Sequence, residues 1–200
     1  MDNVRDYIKS NKEVLLNNLN NYLINENKNK YCSGNISKWE MDSISLYNHQ
    51  HELSNIKQRQ YGFVNYFNLP EEPEIDTIFN TKEGKQIPMY KIVRIAGTVL
   101  DKNKNKNLLT LLTTDGVVTV KLYGDAFTKY DRQISVKDGA TGKKKVIEKS
   151  MFSRGSIIIV TGIRRGDTFI AKKYKRTPYH LVEKIVNIDE NGNFEKVTRE

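Results

Sequence analysis

The stretch that decides the fold is residues 108–123, which read LLTLLTTDGVVTVKLY. Aliphatic and β-branched residues flank Asp115-Gly116, a dipeptide typical of tight β-hairpin turns. In the second half of the stretch, alternate positions place three apolar side chains on one face: Val118, Val120 and Leu122. The pattern predicts two antiparallel strands joined by a short turn, with one face directed into a core.

Further strands extend this hairpin into a larger β unit. They are predicted over residues 90–100, 155–163 and 168–174, and a short helix is predicted over 125–134. The order strand, strand, strand, helix, strand, strand within about 90 residues is that of a five-stranded barrel of the OB type. Such barrels bind ligands between the loop joining strands 1 and 2 and the loop joining strands 4 and 5. Residues 101–107 and 164–167 are therefore predicted to form the two sides of a groove.

The whole chain is predicted to be α+β, with an N-terminal helical segment followed by the five-stranded OB-fold β-barrel. The predicted divisions are a helical docking segment at 1–69, a linker at 70–89, the barrel at 90–188 and a flexible tail at 189–200. The linker is inferred from two prolines and three glutamates in residues 70–74, because proline disfavours regular structure. The tail is inferred from its polar composition.

The charge of the chain is concentrated in its second part. The net charge is +9, with 10 Lys/Arg and 12 Asp/Glu in residues 1–90 and 23 Lys/Arg and 12 Asp/Glu in residues 91–200. A barrel with this excess attracts polyanions, of which nucleic acid is the commonest. The alternative is a basic domain whose charge reflects only a Lys- and Asn-rich composition.

Cations and aromatic side chains near the predicted groove are the candidate binding residues. Single strands are bound by cations that follow the phosphates and by flat side chains that stack on bases. The predicted nucleic-acid-binding residues are Lys102, Lys104, Lys106, Lys121, Tyr123, Arg164, Arg165, Phe169, Lys172 and Lys173. The alternatives are core packing for the aromatic residues and a solvated turn for the lysines.

Catalytic and cofactor motifs are not recognisable in the sequence. Nucleotide-binding loops, a Gly-x-Ser-x-Gly motif and paired acids on an apolar strand are absent, and we expect no cofactor. His49 and His51 form a close pair but have no convincing further metal ligands. Cys32 is the sole cysteine, which excludes Cys-rich zinc sites and an internal disulfide. Without a signal peptide or an apolar span, the expected location is the cytoplasm, with no membrane contact.

Several blocks of the sequence resemble the C-terminal region of the alpha subunit of bacterial DNA polymerase III, the C family of replicative polymerases. Residues 39–53, WEMDSISLYNHQHEL, resemble the stretch that leads out of the fingers region, although Glu52 stands where many members have proline. The blocks that resemble its OB domain are IAGTV at 95–99, LLTTDG at 111–116, KLYGDAFTKY at 121–130 and IIVTG at 158–162. The basic segment 135–149 is longer than in the commoner members.

This resemblance implies a module that binds single-stranded DNA and acts in replication by holding the template strand. It also implies that a separate polymerase core supplies the catalytic acids, so we expect the chain, monomeric in isolation, to be inactive alone. The alternatives are a protein-interaction module that docks onto a polymerase core and an RNA- or tRNA-binding OB domain.

Overall fold

The computed structural model describes residues 2–31, 35–56, 60–137, 144–189 and 191–199. It divides the chain into two compact units, Met1–His49 and Gln50–Glu200. The first unit contains the helices α1 (Asp2–Ser10), α2 (Lys12–Tyr31) and α3 (Ile36–Ile44). The side-chain oxygen of Asn35 caps α3 by accepting a 2.9 Å hydrogen bond from the backbone N–H of Ser37. Within the described residues, none of the helices is long and apolar enough to cross a bilayer.

The second unit begins with an arm, residues 50–74, that contains two short 3-10 helices, Glu52–Asn55 and Tyr66–Asn68. The arm packs on the barrel that follows it. Phe63 forms a β-bridge with Arg94, and the buried Tyr66 ring meets the Phe169 ring edge-on at 6.4 Å between centroids. The arm therefore supplies part of the core of the second unit, although the sequence assigned residues up to 69 to a separate helical segment.

A two-stranded hairpin follows the arm, with strands β1 (Ile75–Asn80) and β2 (Gln86–Tyr90). The predicted linker at 70–89 is thus wrong over most of its length. Gly84 adopts a φ of +76°, which glycine tolerates best, and the turn is closed by a 2.8 Å bond from the Thr81 N–H to the Lys85 carbonyl. Pro88 fits because both strands of a two-stranded ribbon have a free edge, where its missing N–H costs nothing.

Five strands then form a closed barrel. In chain order the elements are β3 (Val93–Asn103), β4 (Leu108–Leu112), β5 (Val117–Lys121), α4 (Ala126–Asp131), the hairpin β6 (Ile134–Lys137) and β7 (Lys144–Glu148), β8 (Ile157–Arg165) and β9 (Thr168–Ala171). The barrel strands pair in the order β8-β3-β4-β5-β9, and β9 pairs again with β8. The β5–β9 pair is parallel and the other pairs are antiparallel. The predicted α+β class and five-stranded OB-type barrel are confirmed.

The barrel core includes the three inward-facing residues that the alternation predicted, Val118, Val120 and Leu122, each at most 1% exposed. The β8–β9 pair closes the barrel at Gly162. A Cβ atom there would lie 2.1 Å from the carbonyl oxygen of Ile170, so only glycine permits this approach. The basic segment at 135–149 contains β7 and all of β6 except Ile134, but residues 138–143 lie outside the described part of the chain.

Two further strands, β10 (Val182–Ile188) and β11 (Phe194–Thr198), extend the sheet beyond β8. The prediction of a flexible tail at 189–200 is wrong for β11. Gly192, at a φ of +79°, allows a tight turn after β10, and Lys196 on β11 reaches the buried carboxylate of Glu183 at 2.7 Å. Polar composition therefore did not prevent this segment from pairing.

Candidate nucleic-acid interface

A groove of about 420 Å³ runs along the outside of the barrel beside β9. We call it the tyrosine groove, and it is lined by Tyr90, Tyr123, Ile163, Arg165, Ile170, Ala171, Lys172, Lys173 and Leu181. Tyr90 is the last residue of β2, and Arg165 is the last residue of β8. The groove thus gathers residues that are up to 91 positions apart in sequence, from Tyr90 to Leu181.

Strand register explains how these side chains meet. Lys121 of β5 pairs in parallel with Ile170 of β9, so Tyr123 and Lys172, each two residues further on, emerge side by side. On the other edge of β9, Ile163 pairs with Ile170 and Arg165 pairs with Thr168. Alternation then directs Arg165 to the same side of the sheet as Ile163 and Ile170.

Cations and aromatic rings are interleaved in the groove. The Lys172 ammonium lies 5.2 Å from the centroids of both the Tyr90 and Tyr174 rings, and the Arg165 guanidinium lies 6.0 Å from the Tyr90 ring. Beside the groove, the Lys121 ammonium lies 5.2 Å from the Tyr123 ring, which is 55% exposed. Each aromatic platform therefore has a cation close enough to contact a phosphate next to a stacked base.

Within the described residues, the structure gives no ion pair with a carboxylate to Arg165, Lys172 or Lys173. The Tyr90 N–H donates a 2.8 Å hydrogen bond to the phenol oxygen of Tyr174, which fixes the aromatic floor beside Lys172. The groove consequently combines an unpaired positive charge with exposed flat surfaces.

Two of the predicted binding residues point away from this groove. Phe169 is fully buried in the core, and its cross-strand partner is Arg164. The Arg164 side chain is 10% exposed and donates hydrogen bonds to the carbonyls of Leu69, at 2.6 Å, and Gly166, at 3.0 Å. Its guanidinium also stacks over the Tyr66 ring at 4.7 Å. Arg164 therefore fastens the arm to the barrel, and Phe169 fills the core.

No residue of the loop 101–107 lines the tyrosine groove, so the groove predicted between residues 101–107 and 164–167 is a different surface from this one. Lys102 and Lys104 instead pair with Asp131 at the end of α4, and Lys106 is exposed in the loop. Burial raises the pKa of Asp131, but hydrogen bonds from Lys102, Ser150 and Lys104 outweigh this and hold it below its ordinary value. This loop is thus tied to the helix that closes one end of the barrel.

The structure brings Lys121, Tyr123, Arg165, Lys172 and Lys173 of the predicted set together in or beside one groove. Sequence reasoning missed Tyr90 as a site residue, because it was assigned to the start of the first barrel strand. The only signal was its aromatic character next to a charged residue, Lys91, which is too common to identify a site.

The close histidine pair does not form a metal site with other ligands in the described part of the chain. His49 pairs with the Glu40 carboxylate, at 2.6 Å between Nδ1 and Oε1. His51 Nδ1 accepts the Leu53 N–H at 3.0 Å, and His51 Nε2 lies 3.1 Å from both the Leu112 carbonyl oxygen and Thr98 Oγ1. His51 therefore links the arm to strands β3 and β4.

Fold and groove together define an OB-type barrel with a cationic, aromatic surface. No protein-family model and no solved structure matches the chain. Over 200 residues, the whole of this chain, it is 42% identical to the probable DNA polymerase YorL of Bacillus subtilis strain 168 and to the DNA-directed DNA polymerase of Bacillus phage SPbeta. The chain spans about 15% of the length of these two relatives. The resemblance to a DNA polymerase is thereby confirmed, and the chain is related to one segment of such enzymes.

Proposed function

We propose that this chain is a single-stranded DNA-binding module of a replicative DNA polymerase of the polymerase III alpha type. In this role it holds the template strand for a polymerase core. The relatives support the connection to DNA polymerases, and the barrel type supports binding of an unpaired strand. The observation that carries the proposal is the meeting of Tyr90 and Tyr123 with Arg165, Lys172 and Lys173 in one groove.

The chemistry of the groove suits an unpaired strand better than an intact duplex. Bases of a single strand are free to stack on Tyr90 and Tyr123, each stacked base contributing about 1–3 kcal/mol. Arg165, Lys172 and Lys173 then lie where the connecting phosphates pass. In a duplex the base faces are already stacked on one another, so the two tyrosines gain nothing from them.

The test measures the affinity of the chain for a fluorescent oligo-dT by anisotropy across a series of salt concentrations. Three cations on phosphates predict that log K falls with log salt at a slope of about −2, since each single-strand contact contributes about −0.7. Tyr123→Ala should weaken binding about tenfold or more, because it removes one stacking platform. Trp39→Ala is the matched control, since Trp39 is 52% exposed but lies in the first unit.

Binding that does not change with salt, or that Tyr123→Ala and Trp39→Ala weaken equally, would contradict the groove as the binding site. An oligo-rU of the same length is the second probe. Tighter binding of oligo-rU than of oligo-dT would replace the DNA assignment with an RNA-binding function.

A further inference from the structure

The loop between β9 and β10, residues 172–181, is fixed to the barrel at both of its ends. At its start, the Lys172 N–H donates a 3.0 Å hydrogen bond to the carbonyl of Thr161. At its end, the Thr161 N–H donates to the Leu181 carbonyl at 3.0 Å, and Thr161 Oγ1 donates to the His180 carbonyl at 2.6 Å. Because Thr161 is fully buried on β8, one residue of the barrel wall holds both ends of the β9–β10 loop.

Inside this loop, a short turn fixes the backbone of Tyr174. The Tyr174 N–H donates a hydrogen bond to Thr177 Oγ1, and the Thr177 N–H donates one to the Tyr174 carbonyl, both at 3.0 Å. The Tyr174 ring also lies 5.2 Å from the Lys172 ammonium. The loop therefore presents the phenol of Tyr174 from a fixed backbone position beside the tyrosine groove.

Tyr90 enters the groove from the end of the β1–β2 hairpin, and its backbone bonds to this phenol. The N–H of the next residue, Lys91, donates a 2.9 Å hydrogen bond to the Glu74 carbonyl and so points across the hairpin. Successive N–H groups along a strand point to opposite edges, so the Tyr90 N–H points away from β1. There it donates its 2.8 Å hydrogen bond to the phenol oxygen of Tyr174. This bond links the end of the hairpin to the β9–β10 loop.

We propose that Tyr174 is a positioning residue of the tyrosine groove, because its phenol oxygen holds Tyr90 where a base can stack on the Tyr90 ring. A two-stranded hairpin is marginally stable by itself, so without this bond the hairpin also populates positions in which Tyr90 has left the groove. An unpaired strand then binds only the molecules with Tyr90 in place, and the apparent affinity falls by that fraction. This inference rests on the proposed function of the groove and names the residue that assembles it.

The first experiment measures oligo-dT binding by Tyr174→Phe, which removes the hydroxyl and keeps the ring over Lys172. Binding should weaken about fivefold, as expected for the loss of one hydrogen bond, and the salt slope should not change because no cation is removed. In a chain that already carries Tyr90→Ala, the same substitution should weaken binding no further, because the platform through which it acts is absent. Tyr179→Phe is the matched control. It removes a hydroxyl of the same loop that has no hydrogen bond within the described residues, so it should leave the affinity unchanged.

The second experiment follows amide hydrogen exchange by NMR without DNA and tests the bond itself. The Tyr90 amide should be protected in the wild type and exchange at least about tenfold faster in Tyr174→Phe, whereas Tyr179→Phe should leave its rate unchanged. The unfolding midpoint should shift by less than about 2 °C in both variants, because neither substitution removes a side chain from the barrel core.

If the wild type bound oligo-dT and Tyr90→Ala weakened this binding, but Tyr174→Phe bound like the wild type, the inference would be overturned and the proposed function would stand. An equal loss from Tyr174→Phe with and without Tyr90→Ala would also overturn it, because Tyr174 would then act independently of Tyr90. So would a Tyr90 amide that is unprotected in the wild type. A wild-type chain that did not bind oligo-dT would instead refute the proposed function, and the role of Tyr174 in DNA binding with it.

Discussion

Replacing Arg164 with alanine should destabilise the barrel, whereas the same change at its neighbour Arg165 should weaken DNA binding. Arg164 donates charged hydrogen bonds to the carbonyls of Leu69 and Gly166 and stacks over Tyr66. Two such bonds contribute about 1.5–3 kcal/mol each and the cation–π contact about 1 kcal/mol, while the side chain loses up to about 2 kcal/mol of conformational entropy. The net loss in Arg164→Ala is thus about 3 kcal/mol.

Thermal unfolding followed by circular dichroism measures this loss. For a chain of this size, about 3 kcal/mol lowers the unfolding midpoint by about 6–12 °C. Arg165 is exposed, so Arg165→Ala should change stability by less than about 0.5 kcal/mol. Below the midpoint, Arg164→Ala should bind oligo-dT like the wild type, and Arg165→Ala should bind more weakly with a salt slope smaller by about 0.7. If Arg164→Ala left the unfolding midpoint unchanged and abolished binding of oligo-dT, the structural role given to Arg164 would be refuted.

Two further predictions concern buried ionisable groups in the second unit. Burial lowers the pKa of His51 from 6.5 to about 4. Between these pH values the unfolded chain binds a proton at His51 that the folded chain does not bind. The free energy of unfolding therefore falls by up to about 3 kcal/mol as the pH drops from about 6.5 to 4. Urea unfolding at pH 7 and pH 4.5 measures this, and an identical pH dependence in His51→Gln would contradict it. Glu183→Ala leaves the buried Arg94 without its carboxylate partner and should cost about 3–5 kcal/mol, whereas removing the half-exposed Lys196 should cost less than about 1 kcal/mol. Equal losses of stability in Glu183→Ala and Lys196→Ala would show that the cost of Glu183→Ala does not come from leaving the buried Arg94 without a partner.

The barrel could be predicted from the sequence because its strands carry strong local signals. Residues 117–122 alternate cleanly after Asp115-Gly116, and the observed strands on either side of this turn are Leu108–Leu112 and Val117–Lys121. The helix after the third barrel strand and the two barrel strands after the helix gave the element order typical of an OB-type barrel. Local periodicity was enough for β5, whereas β8 was recognised from its continuous apolar run.

The orientation of Arg164 could not be predicted in the same way. Residues 157–160 are all apolar and all buried, so β8 offers no alternation from which to infer where Arg164 points. Its direction depends on the pairing with Phe169 and on the arm carbonyl of Leu69, 95 residues earlier. Two adjacent arginines therefore looked equivalent, although one is structural and the other lines the groove.

The hairpin at 75–90 and strand β11 were missed because composition was given more weight than turn chemistry. Thr81 to Lys85 contains the glycine that a tight turn needs, and Asn191-Gly192 is a typical hairpin dipeptide. Prolines and glutamates before the first hairpin, and polar residues around the second, suggested a linker and a tail. Because the hairpin was not predicted, Tyr90 was not included in the predicted site.

The most direct test of the central claim is photocrosslinking of the chain to an oligonucleotide that contains 5-iodo-deoxyuridine, with the modified residues located by mass spectrometry. Adducts are expected at Tyr90 and Tyr123. Trp39 and Phe67, which are 52% and 51% exposed but do not line the groove, should remain unmodified. Adducts confined to Trp39, Phe67 or other aromatic residues that do not line the groove would contradict the claim that it holds the unpaired strand.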